Sequence, residues 1–197
     1  IIRWASIKTA APRQKGATRN MASTQILIAG FGGQGVLFAG KFLAYKGLLE
    51  DRQVSWLPSY GPEMRGGTAN CSVILSDDPV GSPIVTHPDC LIAMNLPSLE
   101  KYKNAVRPGG TIILDSTLID AVIERNDVTV YAVPATKMAG DAGFSTLANM
   151  ILVGKFLKEV EHCDLEGVAP VLKKVVPPKK LSLLDVNLEA IAAGYNF

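Results

Sequence analysis

The sequence predicts an α/β protein of three layers, with a mostly parallel sheet and a helical C-terminal region. Three observations carry this. The apolar run Gln25-Ile26-Leu27-Ile28-Ala29 passes through Gly30-Phe31-Gly32-Gly33-Gln34-Gly35 into a stretch of helical periodicity from Val36 to Leu49, which is the strand, turn and helix of a βα unit. Further short apolar runs follow at intervals, punctuated by Gly, Pro and Asp. Beyond Val133 only helical periodicity remains. Together these describe a Rossmann-like arrangement.

The elements follow in order. The first strand is apolar without alternation, as expected where both faces of a strand are covered. A second strand reads from Val54 to Leu57 and is expected to stop at Pro58, which cannot donate to a ladder. A turn-rich loop occupies Ser59 to Thr68, and Ala69 to Leu75 reads as a third strand, ended by Ser76-Asp77-Asp78-Pro79. Asp89 to Met94 is a buried strand, Leu96 to Val106 a helix with Pro97 in its first turn, Thr111 to Asp115 a strand after a Pro-Gly-Gly turn, and Val128 to Val133 the last strand. Helical patterns cover Ala135 to Ala142, Ser145 to Glu159, Leu165 to Lys174 and Leu181 to Ala193.

Of 197 residues, 48% are hydrophobic and 19% charged, enough for one domain with a substantial core. No apolar run is long enough to cross a bilayer. The net charge of +2 is uneven: Arg3, Lys8, Arg13, Lys15 and Arg19 lie in the first twenty residues with no acid, so the rest of the chain carries a net −3. A mildly acidic body argues against nucleic acid as a partner. Residues 1–22 are expected to be a basic extension without a place in the fold, with Met21 as a simple start, or else a targeting segment or flexible arm. Residues 23–197 form the domain.

The three cysteines, Cys71, Cys90 and Cys163, fall in no metal-ligand or disulfide spacing. Cys71 and Cys90 read as small buried hydrophobes in a reducing, cytoplasmic setting. His87 and His162 belong to no triad or metal pattern and are expected at the surface, so neither a catalytic residue nor a metal ligand is assigned.

Gly30, Gly32 and Gly35 satisfy the G-x-G-x-x-G spacing between a strand and a helix. The first glycine suits a tight turn, the second lets backbone approach a phosphate, and the third lets helix and strand pack. The helix that follows presents free N–H groups and a positive dipole end to an anion. The alternative is that the glycines serve packing alone. A nicotinamide dinucleotide would also require an acid at the end of the second strand, where Leu57-Pro58-Ser59 stands instead. In the loop Ser59-Tyr60-Gly61-Pro62-Glu63-Met64-Arg65-Gly66-Gly67-Thr68, Arg65 could clamp a phosphate or carboxylate, or else pair with Glu63.

The run Ile28 to Val36, together with Pro58-Ser59-Tyr60-Gly61-Pro62-Glu63-Met64-Arg65-Gly66-Gly67-Thr68-Ala69-Asn70, resembles the γ subunit of the 2-oxoacid:ferredoxin oxidoreductases. Asn95-Leu96-Pro97-Ser98-Leu99-Glu100-Lys101-Tyr102 and Pro108-Gly109-Gly110 continue the likeness, which extends from about Gln25 to the C-terminus. The resemblance implies a subunit of a complex that oxidatively decarboxylates a 2-oxoacid with coenzyme A to acyl-CoA and CO2 and reduces ferredoxin. It places thiamine diphosphate, Mg2+ and iron–sulfur clusters in α, β and, in some complexes, ferredoxin-like δ partner subunits. It implies coenzyme A as a co-substrate contacted by Gly30, Gly32, Gly33, Gln34, Gly35 and Arg65, with Gln34 adding a side-chain hydrogen bond. The Tyr60 to Arg65 loop leans towards the 2-oxoglutarate or branched-chain type. A stand-alone NAD(P)-binding oxidoreductase and a purely structural scaffold remain the alternatives.

Overall fold

The computed structural model describes residues 23–60, 67–143 and 146–197. The basic extension, and Arg65 with most of its loop, lie outside the described residues. The elements are β1 (Ser23–Phe31), α1 (Val36–Leu49), β2 (Gln53–Tyr60), β3 (Thr68–Ser76), β4 (Cys90–Ala93), α2 (Leu96–Tyr102), β5 (Thr111–Asp115), β6 (Thr129–Val133), α3 (Ala135–Asp141), α4 (Ala148–Glu159), α5 (Val168–Val175) and α6 (Leu184–Asn196). Short 3-10 turns follow α2 and precede α6.

The six strands form one sheet in the order β2-β3-β1-β4-β5-β6. β1, β4, β5 and β6 pair in parallel, whereas β3 runs antiparallel to both β1 and β2. β3 is therefore the one reversed strand, and the turn-rich loop before it joins two antiparallel neighbours. The second strand does not stop at Pro58: β2 continues to Tyr60, with Pro58 opposite Cys71. An edge strand tolerates a residue without an N–H, which the interior of a sheet does not.

Alternation along the strands divides the core into two. Ile26 and Ile28 of β1, Ile92 of β4 and Ile113 of β5 face α1, α4, α5 and α6. Leu27, Leu91, Ala93, Ile112 and Leu114 face the opposite way, towards Leu99 of α2 and Ile119 in the β5–β6 connection. The three layers are thus unequal, and the thick one is built from the C-terminal helices.

Within that layer α4 and α6 meet at their glycines. A methyl group at Gly154 would overlap the Ile191 carbonyl oxygen and lie 2.8 Å from the Tyr195 nitrogen; one at Gly194 would overlap the Ile151 carbonyl oxygen and lie 2.6 Å from its carbon. The two backbones touch, so no side chain fits between them. At the far end of α4, buried Glu161 pairs with Arg52 (3.1 Å), whose guanidinium also donates to the Leu75 carbonyl (2.8 Å). That one ion pair fastens the turn after α1 to the end of β3 and to the helical layer.

Candidate functional site

β1 leaves by way of α1 to one side of the sheet, whereas the next strand on its other flank, β4, leads through α2 to the opposite face. The C-terminal ends of β1 and β4 therefore border the crevice where ligands bind in open α/β sheets. The glycine loop 32–35 lies there. Gly33 and Gly35 have φ of 98° and 79°, values that a side chain rarely adopts. Gly35 is the N-cap of α1, no side chain caps the helix, and its first turn holds no acid. The first-turn N–H groups of a 14-residue helix thus converge without a competing anion, a site suited to phosphate.

Glycine roles differ from those the spacing suggests. Gly30 still belongs to β1, and a Cβ there would lie 2.7 Å from Gln34 Oε1 and 3.0 Å from both Met94 Cβ and Val36 Cγ2, so close packing falls to the first glycine. The turn itself falls to Gly33 and Gly35. Gly32 donates its N–H to the Gly67 carbonyl at 2.9 Å, tying the loop to the end of the β2–β3 connection.

Gln34 braces the loop. Its Oε1 accepts from the Phe31 N–H (2.6 Å) and from Asn95 Nδ2 (3.3 Å), while its Nε2 donates to the Met94 carbonyl (2.9 Å). One carboxamide joins the ends of β1 and β4 to the cap of α2, because Asn95 Oδ1 in turn accepts from the Ser98 N–H (2.8 Å). On the other flank Asn149, in the first turn of α4, donates to the Gly35 carbonyl at 3.1 Å. Its ring of contacts explains the third glycine, since a Cβ on Gly35 would lie 2.5 Å from Asn149 Nδ2. Further along the same edge, buried Asp115 accepts from Thr117 N (3.1 Å), Thr136 N (3.2 Å) and Thr136 Oγ1 (2.5 Å), closing the ends of β5 and β6 into a rigid rim.

Sequence reasoning missed Asn95 and Asn149. Asn95 carried a signal, an Asn directly before Leu96-Pro97, which is a helix-start pattern. Asn149 carried none, because its partner is 114 residues away.

Burial pushes the Cys71 thiol up to about 12, and the Cys90 thiol is pushed up further by the same cause. Both are core hydrophobes, and both stay protonated. His87 and His162 are exposed. Among the described residues no group of three His, Cys, Asp or Glu could hold a metal ion, and no helix is long and apolar enough to cross a membrane. β2 is separated from β1 by β3 and ends in Ser59-Tyr60, so among the described residues no acid stands at its tip for a dinucleotide ribose.

The model of the pyruvate ferredoxin/flavodoxin oxidoreductase family matches residues 25–197. The chain is 40% identical over 171 residues to ketoisovalerate oxidoreductase subunit VorA of Methanothermobacter thermautotrophicus, covering 86% of this chain and 35% of VorA. It is 35% identical over 178 residues to 2-oxoglutarate synthase subunit KorC of Methanothermobacter marburgensis, covering 86% of this chain and 94% of KorC. It thus spans about a third of VorA and nearly all of KorC. Among solved structures, the 2-oxoglutarate:ferredoxin oxidoreductase of Magnetococcus marinus with 2-oxoglutarate, coenzyme A and succinyl-CoA bound shares the fold, with a TM-score of 0.79 at 24% identity over 90% of this chain and 31% of that one.

Proposed function

Because this chain belongs to the pyruvate ferredoxin/flavodoxin oxidoreductase family, we propose that it is the γ-type subunit of a 2-oxoacid:ferredoxin oxidoreductase and that its glycine loop holds a phosphate group of coenzyme A. The observation that carries the second half is the uncapped, acid-free N-terminus of α1, presented at the sheet's crevice by two positive-φ glycines. The ligand chemistry fits that cradle: coenzyme A is anionic at its phosphates, and backbone N–H donors need no charged side chain to receive them. When bound, coenzyme A supplies the thiol that accepts the acyl group. This chain's residues do the holding. The first turn of α1 donates hydrogen bonds, Gln34 and Asn149 fix the angle at which it does so, and the Thr136–Asp115 clamp keeps the neighbouring rim in place.

The reaction decarboxylates the 2-oxoacid, joins the acyl carbon to the thiol sulfur, and releases CO2, one proton and two electrons, which pass to ferredoxin. Thiamine diphosphate, its Mg2+ and the iron–sulfur clusters belong to α- and β-type partner subunits or a δ-type one. The substrate is 2-oxoglutarate or a branched-chain 2-oxoacid, the two classes in the names of the KorC and VorA relatives.

Gly32→Ala in the assembled complex tests the loop. A Cβ at the second glycine stands where a phosphate must approach, so the KM for coenzyme A should rise roughly tenfold, equivalent to about 1.4 kcal/mol, with the 2-oxoacid KM little changed. Decarboxylation in a single turnover without coenzyme A should proceed as in the wild type. Equal changes in both KM values, or a complex that fails to assemble, would assign Gly32 to packing.

A further inference from the structure

We propose that the cavity between the starts of α1, α4 and α6 receives the adenine ring of coenzyme A, with the Asn187 carboxamide oxygen accepting a hydrogen bond from the ring's amino group. This rests on the reading of the glycine loop as the phosphate site of that coenzyme. The cavity holds about 220 Å3 and is bordered by Phe38, Leu147, Val176, Pro177, Leu183 and Asn187. Cavities that enclose whole drug-sized ligands run to about 300–1,000 Å3, so this one takes a single flat group of a larger molecule. Buried Val176 and Asn187 form its inner wall, and exposed Pro177 and Leu183 its rim.

Its position ties it to the phosphate cradle. Phe38 is the third residue of α1 and so belongs to the first turn, where no side chain caps the helix. Leu147 is the N-cap of α4, two residues before Asn149, whose amide holds the Gly35 carbonyl. Cavity and cradle therefore share one turn of α1, about 5 Å of helix, and a single ligand can place an anion at one end of that turn and a ring at the other.

The lining selects the ring. Apart from Asn187 the walls are apolar, which suits the faces of a flat base, and half-buried Phe38 offers an aromatic surface to it. Asn187 is 3% exposed, and its Nδ2 donates to the Leu183 carbonyl at 2.6 Å. A carbonyl only accepts, so this bond fixes the amide's orientation and leaves Oδ1 as the spare atom. That oxygen has no hydrogen-bond partner among the described residues, and a buried acceptor without one is costly. A flat ring that carries an N–H donor satisfies both the walls and the oxygen. In coenzyme A the thiol end must reach the acyl carbon in the partner subunits, which leaves the nucleotide end on this chain. Adenine is the flat group at that end, and its amino group is the donor.

The test measures competition with coenzyme A, on the assembled complex, by adenosine 3′,5′-bisphosphate and by inosine 3′,5′-bisphosphate, in which an oxygen replaces the amino group. The adenosine compound should bind at least tenfold more tightly, because the oxo group of the other sets two acceptors face to face. Asn187→Leu should abolish that preference, and Leu183→Trp, which fills the rim, should weaken the adenosine compound at least tenfold. Gly32→Ala should weaken both compounds alike. Equal inhibition by the two in the wild type, or inhibition by neither, overturns the proposal. So does a preference that survives Asn187→Leu, or undiminished inhibition of the Leu183→Trp complex. A Leu183→Trp chain that melts like the wild type when free but no longer enters the complex assigns the cavity to a partner side chain, which also overturns it. Weakening by Gly32→Ala with no effect of Asn187→Leu removes the cavity alone, and a preference lost in Asn187→Leu with no effect of Gly32→Ala removes the phosphate reading alone.

Discussion

Gly194→Ala is expected to destabilise the chain by about 3 kcal/mol or more, the upper range for forcing an extra group into a packed core. The added methyl would meet the Ile151 backbone of α4, which cannot swing aside as a side chain does. The helices must separate, and the contacts of Ile151 and Ile191 loosen with them. For a domain of this size the melting temperature should fall by roughly 6–12 °C. Gly140→Ala is the control. It is another helical glycine, on α3, where a methyl meets nothing within 4 Å, so it should stabilise by about 0.5–1 kcal/mol through backbone entropy. Equal effects from the two substitutions would contradict the α4–α6 contact. The loss also has a functional direction, since α4 carries Asn149, whose amide holds the Gly35 carbonyl at the start of α1.

Glu161→Ala is expected to cost about 3–5 kcal/mol, measured as a shift of the urea midpoint without a change in its slope. Arg52 is 6% exposed and Glu161 8%, so removal of the carboxylate strands a buried guanidinium. Its bond to the Leu75 carbonyl remains but supplies no opposite charge. The double variant Arg52→Met with Glu161→Ala should recover part of the loss by removing the stranded charge. A double variant no more stable than Glu161→Ala would show that packing around Arg52, rather than its charge, sets the cost.

The sequence made legible what is local. The strand, glycine turn and helix of the first unit are encoded by one contiguous pattern, and α1 spans the same Val36–Leu49 that periodicity predicts. Leu96–Tyr102, Thr111–Asp115 and the four C-terminal helices lie where their periodicity, proline and glycine signals place them, with boundaries displaced by a few residues. What was not legible depends on partners distant in the chain. The reversal of β3 has no periodicity signal, because a strand covered on both faces reads alike in either direction. Pro58 could be read as a terminator only by assuming an interior strand; at the edge it is tolerated. Gly154 and Gly194 look like weak points in two helices until the fold brings them together. At the site, the spacing of Gly30, Gly32 and Gly35 located the loop but exchanged the roles of its glycines, since which of them meets Gln34 or Asn149 is decided by strands and helices far along the sequence. The sequence presents Gln34 as a ligand contact and carries no signal of its bracing role; its carboxamide bonds to Phe31, Met94 and Asn95 and keeps one N–H for a ligand.

The central claim is that the first turn of α1 receives a phosphate of coenzyme A, and the most direct measurement is amide hydrogen exchange of the assembled complex with and without coenzyme A. The N–H groups at Gly33 and at Val36 to Phe38, free of any side-chain cap, should exchange at least tenfold more slowly once coenzyme A is bound, and inorganic phosphate alone should protect them less. Full turnover of coenzyme A by a complex in which these amides exchange at an unchanged rate would contradict the account and place the phosphates elsewhere.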